Sequence, residues 1–257
     1  EQSSILNRKI YLPRGKTLGG SSSTNAMAYV RGNAADYDGW AALGNPGWSY
    51  KEILPYFKRS EKHAQIDSID ENYHGNSGEL GVTLPTYFKS PFVSGFIEAC
   101  AAVGIPTTSD YNGSKQEGAG VVHSTIENGK RASGATAFLK PILKRSNLTT
   151  ITHAQVDKLI LEGKKTVGVK YTKSKKTVQV NAQKEVILCA GAFQSPQLLM
   201  LSGIGDASEL SEHGIECLHE LKGVGKNLQD HLFFPVCGQS KTQEGVNHNI
   251  PLVQQLK

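Results

Sequence analysis

The sequence predicts an α/β chain with α+β character, and three observations predict it. Apolar residues recur at helical spacing in the first half and alternate from Leu148 onward, so the hydrophobic period shortens toward 2. A largely apolar run, Glu185-Val186-Ile187-Leu188-Cys189-Ala190, ends at Gly191 and reads as a strand buried on both faces of a parallel sheet. Ser195-Pro196 and a helix from Gln197 to Leu201 follow it, so a strand-loop-helix unit turns a helix N-terminus toward a ligand crevice.

The first element is the stretch from Arg14 to Gly32. Its adjacent glycines Gly19 and Gly20, its serines Ser21, Ser22 and Ser23, and Asn25 let backbone approach a ligand while hydroxyl and amide groups face it. Composition alone favours a Gly/Ser loop leading into a small-residue helix. Ser49-Tyr50-Lys51-Glu52 is a capping box, and a helix to about Lys62 follows, with Pro55 deep enough to kink it or shorten its first turn. Lys62 to Asn76 is polar and loop-like, and Glu79 to Leu84 reads as a strand. Ser90-Pro91 opens a helix whose Phe92, Phe96, Ile97 and Cys100 predict a core-facing stripe, stopped by Gly104.

Ala132 to Lys144 is rich in small residues suited to close backbone packing, beside a cofactor or as a buried connector. Four strands are then predicted: Leu148 to Thr152, Val156 to Leu161, Val167 to Tyr171 and Val178 to Val180, forming a meander. Asp206-Ala207-Ser208-Glu209 is a second capping box, for a short helix that stops at Gly214 with Ile215 placed for a C-cap contact. The tail beyond His231 is polar and broken by Pro235 and Pro251.

With 257 residues and 38% hydrophobic content, the chain can bury a core as one large domain or two smaller ones. The formal charge of +5 owes much to Lys164, Lys165, Lys170, Lys173, Lys175 and Lys176. Only Tyr171 interleaves them, so they read as a solvated hairpin and not a nucleic-acid face. Cys100, Cys189, Cys217 and Cys237 form no Cys-x-x-Cys pair, which argues for a reducing compartment and against a zinc ribbon or dithiol motif. A cytoplasmic location is expected, with peripheral contact to the inner membrane left open. His63, His74 and His123 do not fall at metal-ligand spacing, so structural or surface roles are expected and no metal. Asn112-Gly113-Ser114 and Asn147-Leu148-Thr149 fit the glycosylation pattern, but no secretory signal gives them weight. No apolar run approaches the ~20 residues of a membrane span.

The order Arg-Gly-Lys-x-Leu-Gly-Gly-Ser-Ser-x-x-Asn-x-Met-x-Tyr-x-Arg-Gly from Arg14 to Gly32 resembles the flavin-contacting signature of the glucose–methanol–choline oxidoreductases. Asp36-Tyr37-Asp38-Gly39-Trp40, Gly47-Trp48-Ser49-Tyr50 and Leu54-Pro55-Tyr56-Phe57-Lys58 continue the likeness. Two further blocks carry it along the chain: Cys189 to Gly205, and Gly223-Val224-Gly225-Lys226-Asn227-Leu228-Gln229-Asp230-His231. The resemblance implies part of an FAD/NAD(P)-binding, Rossmann-like domain with a β-meander, plus part of a substrate domain. Its implied division is 1–45 as the flavin-contacting segment, 46–147 as a helical and loop bridge, 148–231 as meander, buried strand and helix, and 232–257 as the start of the substrate domain.

The resemblance implies FAD contacts at Thr17, Gly19, Gly20, Ser22, Asn25, Ala26, Met27 and Ala28, with Val156 at the adenine edge and Ala190 and Gly191 along the dinucleotide. It implies hydride transfer from a primary alcohol, choline-like, aliphatic or aromatic, to the flavin, giving an aldehyde. The electron acceptor is left open. Thr24 stands where covalent members carry histidine, which implies non-covalent FAD, although many such members have an aliphatic residue there. A fatty-acid photodecarboxylase or hydroxynitrile lyase on the same framework, or a non-catalytic nucleotide-binding remnant, are the alternatives. No catalytic residue is expected in this chain: neither the family's leading Gly-x-Gly-x-x-Gly unit nor its late catalytic histidine has a match, and His231 reads as structural. The first residue is Glu1 and Ile5 to Leu12 read as mid-element, so a fragment is expected. The expected outcome is that this chain alone reduces no dye when given alcohols, and alcohol-dependent dye reduction by the purified chain would refute it.

Overall fold

The computed structural model describes residues 6–85 and 90–236. They fall into two compact units, one up to Leu148 and one from Thr149 to Cys237. Most of the segment 232–257, and Cys237 with it, lies outside the described residues. The chain is mixed α/β, as the periodicity predicts.

In the first unit Gly20–Ser23 forms a single 3-10 turn, and the chain then runs extended. Ala28 bridges Ser124, with Tyr29 N–H donating to the His123 carbonyl at 2.8 Å and Thr125 N–H to that of Met27 at 2.9 Å. Helix α1, Ala34–Ala42, begins in a reciprocal capping box: Asn33 accepts from Ala35 N–H, and Asp36 accepts from Asn33 N–H. Helix α2, Tyr50–Ser60, opens with the expected Ser49–Glu52 box and runs through Pro55. Lys58 and Arg59 in its last turn complement the carbonyl end of its dipole.

Strand β1, Glu61–His63, follows at once and pairs in parallel with β2, Leu80–Val82, in the register Glu61 to Leu80 and His63 to Val82. Its alternation turns Glu61 and His63 inward and Lys62 outward. Helix α3, Pro91–Ala102, has Ser90 as cap and proline at its start, as expected. Its stripe is not core: only Cys100 is buried, while Phe92 and Phe96 are 47% and 63% exposed. Periodicity supplies an apolar face, but burial needs a partner surface, and no described element covers this one. Strands β3, Ile126–Glu127, and β4, Lys130–Arg131, make a hairpin across Asn128-Gly129, both at positive φ, the turn that matches strand twist. Ala135–Leu139 then forms a π-helical turn, with Ala132, Ala135 and Ala137 buried.

The second unit is built on an antiparallel meander of β5, Gln155–Glu162, β6, Lys165–Lys173, and β7, Lys176–Asn181. The lysine-rich stretch is the β6–β7 hairpin and its flanks, turning on Ser174 and Lys175 at positive φ. Three strands stand where four were expected, because Leu148 to Thr152 finds no edge to pair with. Residues 185–190 are likewise not a strand: they join no sheet among the described residues, and Ile187 is 73% exposed. A strand exists only by pairing, and no described strand lies beside this run.

Helix α4, Gly191–Leu201, starts earlier than expected and carries Pro196 inside; Ser195 Oγ accepts from Ala190 N–H at 3.1 Å. After it β8, Ile204–Gly205, pairs in parallel with β9, His219–Glu220. Helix α5, Ala207–Glu212, is capped by Asp206, which accepts from the Ser208 and Glu209 amides. It closes at Gly214 with Ile215 N–H on the Leu210 carbonyl.

Ser202 joins α4 to the meander. Fully buried, it donates to the Leu198 carbonyl at 2.6 Å and accepts from Leu159 N–H at 2.9 Å. Replacing it by alanine leaves that strand amide unsatisfied in the core, so Ser202→Ala is expected to destabilise the second unit by about 1–3 kcal/mol. Urea unfolding followed by circular dichroism checks this, and an unchanged midpoint would contradict it.

Candidate functional site

The glycine-serine loop is held from one side and open on the other. Gly20 N–H donates to the Thr17 carbonyl at 2.9 Å. Ser22 Oγ donates to the Gly19 carbonyl and accepts from Gly134 N–H at 2.9 Å. Gly19, at φ +86°, could carry no side chain, because a Cβ would run into Ser23 Oγ and Ala135. The small residues of 132–137 therefore serve the close packing that their composition predicts. Gly20, at φ +55°, differs: nothing lies within 4 Å of where its Cβ would stand.

Beyond the turn, Asn25 Oδ1 accepts from Met27 N–H at 3.1 Å and from Arg131 Nη1 at 2.7 Å. Met27 is held at φ +66°, a conformation that costs a non-glycine residue on the order of 1 kcal/mol and persists only where its surroundings enforce it. Thr17, Asn25, Ala26 and Ala28 are exposed, and Gly19, Gly20, Ser22 and Met27 half-buried. An exposed face of backbone, amide and methyl groups with a side-chain-free approach at Gly20 fits a planar, polar cofactor. Thr24, exposed, places its hydroxyl on the Ser21 carbonyl.

Beneath this loop lies a buried polar network that the sequence did not disclose. Glu61, fully buried, accepts from Arg31 Nη2 at 2.9 Å and Gly75 N–H at 3.0 Å, and contacts His74 Nδ1 at 3.0 Å. The other nitrogen of His74 meets Asp110 Oδ2 at 2.8 Å. Arg31 also donates to the Tyr73 carbonyl at 2.6 Å and lies against the Phe57 ring. Asn112 accepts from Arg31 N–H and donates to the Tyr29 carbonyl, pairing with the extended segment as a strand would. It is 3% exposed, so the glycosylation triplet it begins is closed in the fold.

His63 and His123, both buried, contact through Nε2 and Nδ1 at 3.2 Å. The three histidines thus take structural roles, and residues 13 to 60 apart in sequence meet in space, where spacing gave no signal. Burial and the neighbouring His123 push His63 down to about 4, and burial lowers His123 as well. Burial opposes the charge on His74, yet its bonds to Asp110 and Glu61 outweigh that and raise it to about 9. Asp110, raised by burial but lowered more by His74 and the Asn112 amide, ends below its ordinary value. Glu61, His63 and His74 bring ligand atoms within 4.8 Å of one another. An ion there would compete with the Arg31 guanidinium for Glu61 and with both carboxylates for the nitrogens of His74, while the two cations and two carboxylates already balance.

In the second unit Val156 and Ala190 line one cavity of about 400 Å³, with Gln194 and Gln197. Gly191 adjoins it at the start of α4, at φ +87°. Val156 is exposed. A larger cavity of about 690 Å³, lined by Phe193, Met200, Leu210 and Leu228, holds none of the expected residues. His231 is exposed. Among those residues no helix is long and apolar enough to cross a membrane.

A mixed α/β chain that presents such a loop belongs with cofactor-binding proteins. The family model for GMC oxidoreductase matches residues 2–233, and the chain belongs to that family. An oxygen-dependent choline dehydrogenase of Brucella anthropi is 46% identical over 233 residues, 89% of this chain and 41% of that protein. An FAD-dependent oxidoreductase from Chaetomium thermophilum superposes with a TM-score of 0.81 at 35% identity, over 89% of this chain and 41% of that one. Pyridoxine 4-oxidase from Mesorbium loti gives a TM-score of 0.75 at 36% identity, over 81% of this chain and 41% of that one. The chain thus spans less than half the length of these relatives.

The network makes the stability of the first unit depend on pH in two directions. His74, raised to about 9, stabilises fully below its ordinary value of 6.5, and that contribution is lost as pH rises through 9. His63, lowered to about 4, is neutral in the fold, so stability falls as pH drops below 6.5 toward 4. Asp110 adds a loss below its ordinary 3.8. Stability is expected to peak near pH 6.5, and a urea midpoint unchanged between pH 6.5 and 9 would contradict the His74 assignment. Glu61→Gln, which leaves Arg31 and His74 without their shared counter-charge, is expected to cost about 3–5 kcal/mol in the same measurement.

Proposed function

We propose that this chain carries much of the FAD site of an oxidoreductase acting on CH–OH groups, which oxidises a primary alcohol, with choline the first candidate, to its aldehyde. The single observation that carries this reading is the open face above Gly20 beside the exposed Asn25 amide. Membership of the GMC family and the FAD-dependent relative support it.

In this reading Gly19 and Ser22 fix the loop against residues 134–135, and Thr17 and Gly20 bring backbone to the ligand. Asn25 orients its amide toward the ring, while Ala26, Met27 and Ala28 leave room beside it. Val156, Ala190 and Gly191 are the residues that serve the dinucleotide in this reading. Bound there, FAD supplies a two-electron acceptor for the alcohol carbon. Thr24 offers no imidazole for a covalent link, which favours non-covalent binding. No residue of this chain is assigned as proton acceptor.

Purification of the protein from its intact coding sequence, with a visible spectrum and an alcohol panel, tests the reading: a yellow protein that oxidises choline is expected. A colourless protein that cannot be reconstituted with FAD would overturn it. Gly20→Leu places side-chain atoms on the open face, where its Cβ meets nothing within 4 Å. It is expected to cost about 1–2 kcal/mol of stability from left-handed backbone strain and to weaken FAD retention by a factor on the order of ten or more. Unchanged flavin content in the folded variant would remove Gly20 from the site.

A further inference from the structure

Arg131 comes from the β3–β4 hairpin and reaches the loop with one nitrogen. Its Nη1 lies 2.8 Å from the Asn25 carbonyl, 2.7 Å from Asn25 Oδ1 and 3.3 Å from the Ser22 carbonyl. Asn25 Oδ1 also takes Met27 N–H, so both its lone-pair directions are filled. The amide therefore has a settled direction: oxygen toward Arg131, and Nδ2, which carries two donors, on the exposed side of the loop. The hairpin that carries Arg131 is itself tied to the loop, since Ile126 pairs with Arg131 and the adjacent Thr125 donates to the Met27 carbonyl.

All three acceptors are neutral. Among the described residues Arg131 has no carboxylate within ion-pair distance, and it is only half-exposed. A full positive charge is thus held against three oxygens of the loop, those of the Ser22 and Asn25 carbonyls and Asn25 Oδ1, with the Asn25 Nδ2 donors at the other end of that amide.

We propose that Arg131 is the positioning residue of this site: by fixing the Asn25 amide and leaving its own charge uncompensated, it makes the loop select the reduced, anionic form of the flavin over the oxidised form. The proposal rests on the FAD reading above and deepens it. Uptake of two electrons and one proton leaves the flavin ring with one more negative charge than the oxidised ring. Outward donors and a nearby cation stabilise that charge more than they stabilise the neutral ring. The flavin is accordingly easier to reduce on this loop than on one without the cation.

The test uses the FAD-loaded protein from the intact coding sequence, titrated with a reducing dye to give the flavin midpoint potential, alongside FAD affinity from the visible spectrum. Arg131→Gln removes the charge, and its preference for reduced over oxidised FAD is expected to fall at least about tenfold. For a two-electron couple that is a midpoint about 30 mV lower. Arg131→Lys keeps the charge and is expected to recover most of the shift. Asn25→Asp keeps the Met27 turn and the Arg131 bonds but neutralises the cation, so it lowers the potential even if Arg131→Gln fails to fold. An unchanged midpoint in FAD-loaded Arg131→Gln, or in FAD-loaded Asn25→Asp, would overturn the proposal while leaving the FAD reading intact. A wild-type protein that takes up no FAD would instead overturn the reading beneath it.

Discussion

The fully buried carboxylate of Glu61 is the constraint on which the first unit depends. A charge removed from water is tolerated only when its oxygens are met by donors, and here a guanidinium, an imidazole and a backbone amide meet them. Each partner comes from a different part of the chain. Arg31 closes the extended segment after the glycine-serine loop, Glu61 begins the strand after α2, and His74 and Gly75 sit in the irregular stretch before β2. Satisfying one carboxylate therefore joins three segments that have little apolar area with which to hold one another.

That junction reaches the loop through two kinds of contact. Asn112, anchored beside Asp110, supplies strand-like hydrogen bonds to Tyr29 and Arg31, and residues 123–125 supply the rest to Met27 and Tyr29. On its other side the loop is gripped by Arg131, by Gly134 and by the close passage of Ala135 beside Gly19. A segment rich in glycine and serine has high conformational entropy when free. Here it is fixed from below by hydrogen bonds and leaves its other face unobstructed, the preorganisation that ligand binding requires.

Much of this was legible in the sequence, for reasons that differ by element. The helices at Tyr50–Ser60, Pro91–Ala102 and Ala207–Glu212 announce themselves by caps, because Ser49, Ser90 and Asp206 act on amides only two or three residues away. The meander announces itself by alternation and its lysine-rich turn. The capping box at Asn33 and the Asn128-Gly129 turn were equally local signals, and reading the second would have set Arg131 in a hairpin. No such signal existed for Glu61, His74 and Asp110, separated by 13 and 36 residues. The strand expected at 185–190 and the core face expected of α3 failed together, since both depend on a neighbouring surface that the pattern within one segment does not specify.

The amino-acid order alone determined the family, the α/β character, most helix starts and the glycine-serine loop, because each is written in contiguous residues whose interactions span a turn or two. Only the tertiary structure decided that three scattered histidines share one buried polar centre, that Arg131 lies behind Asn25, and which apolar runs remain uncovered. Those outcomes depend on which distant groups meet when charges leave water and strands find edges, and that is a property of the assembled chain.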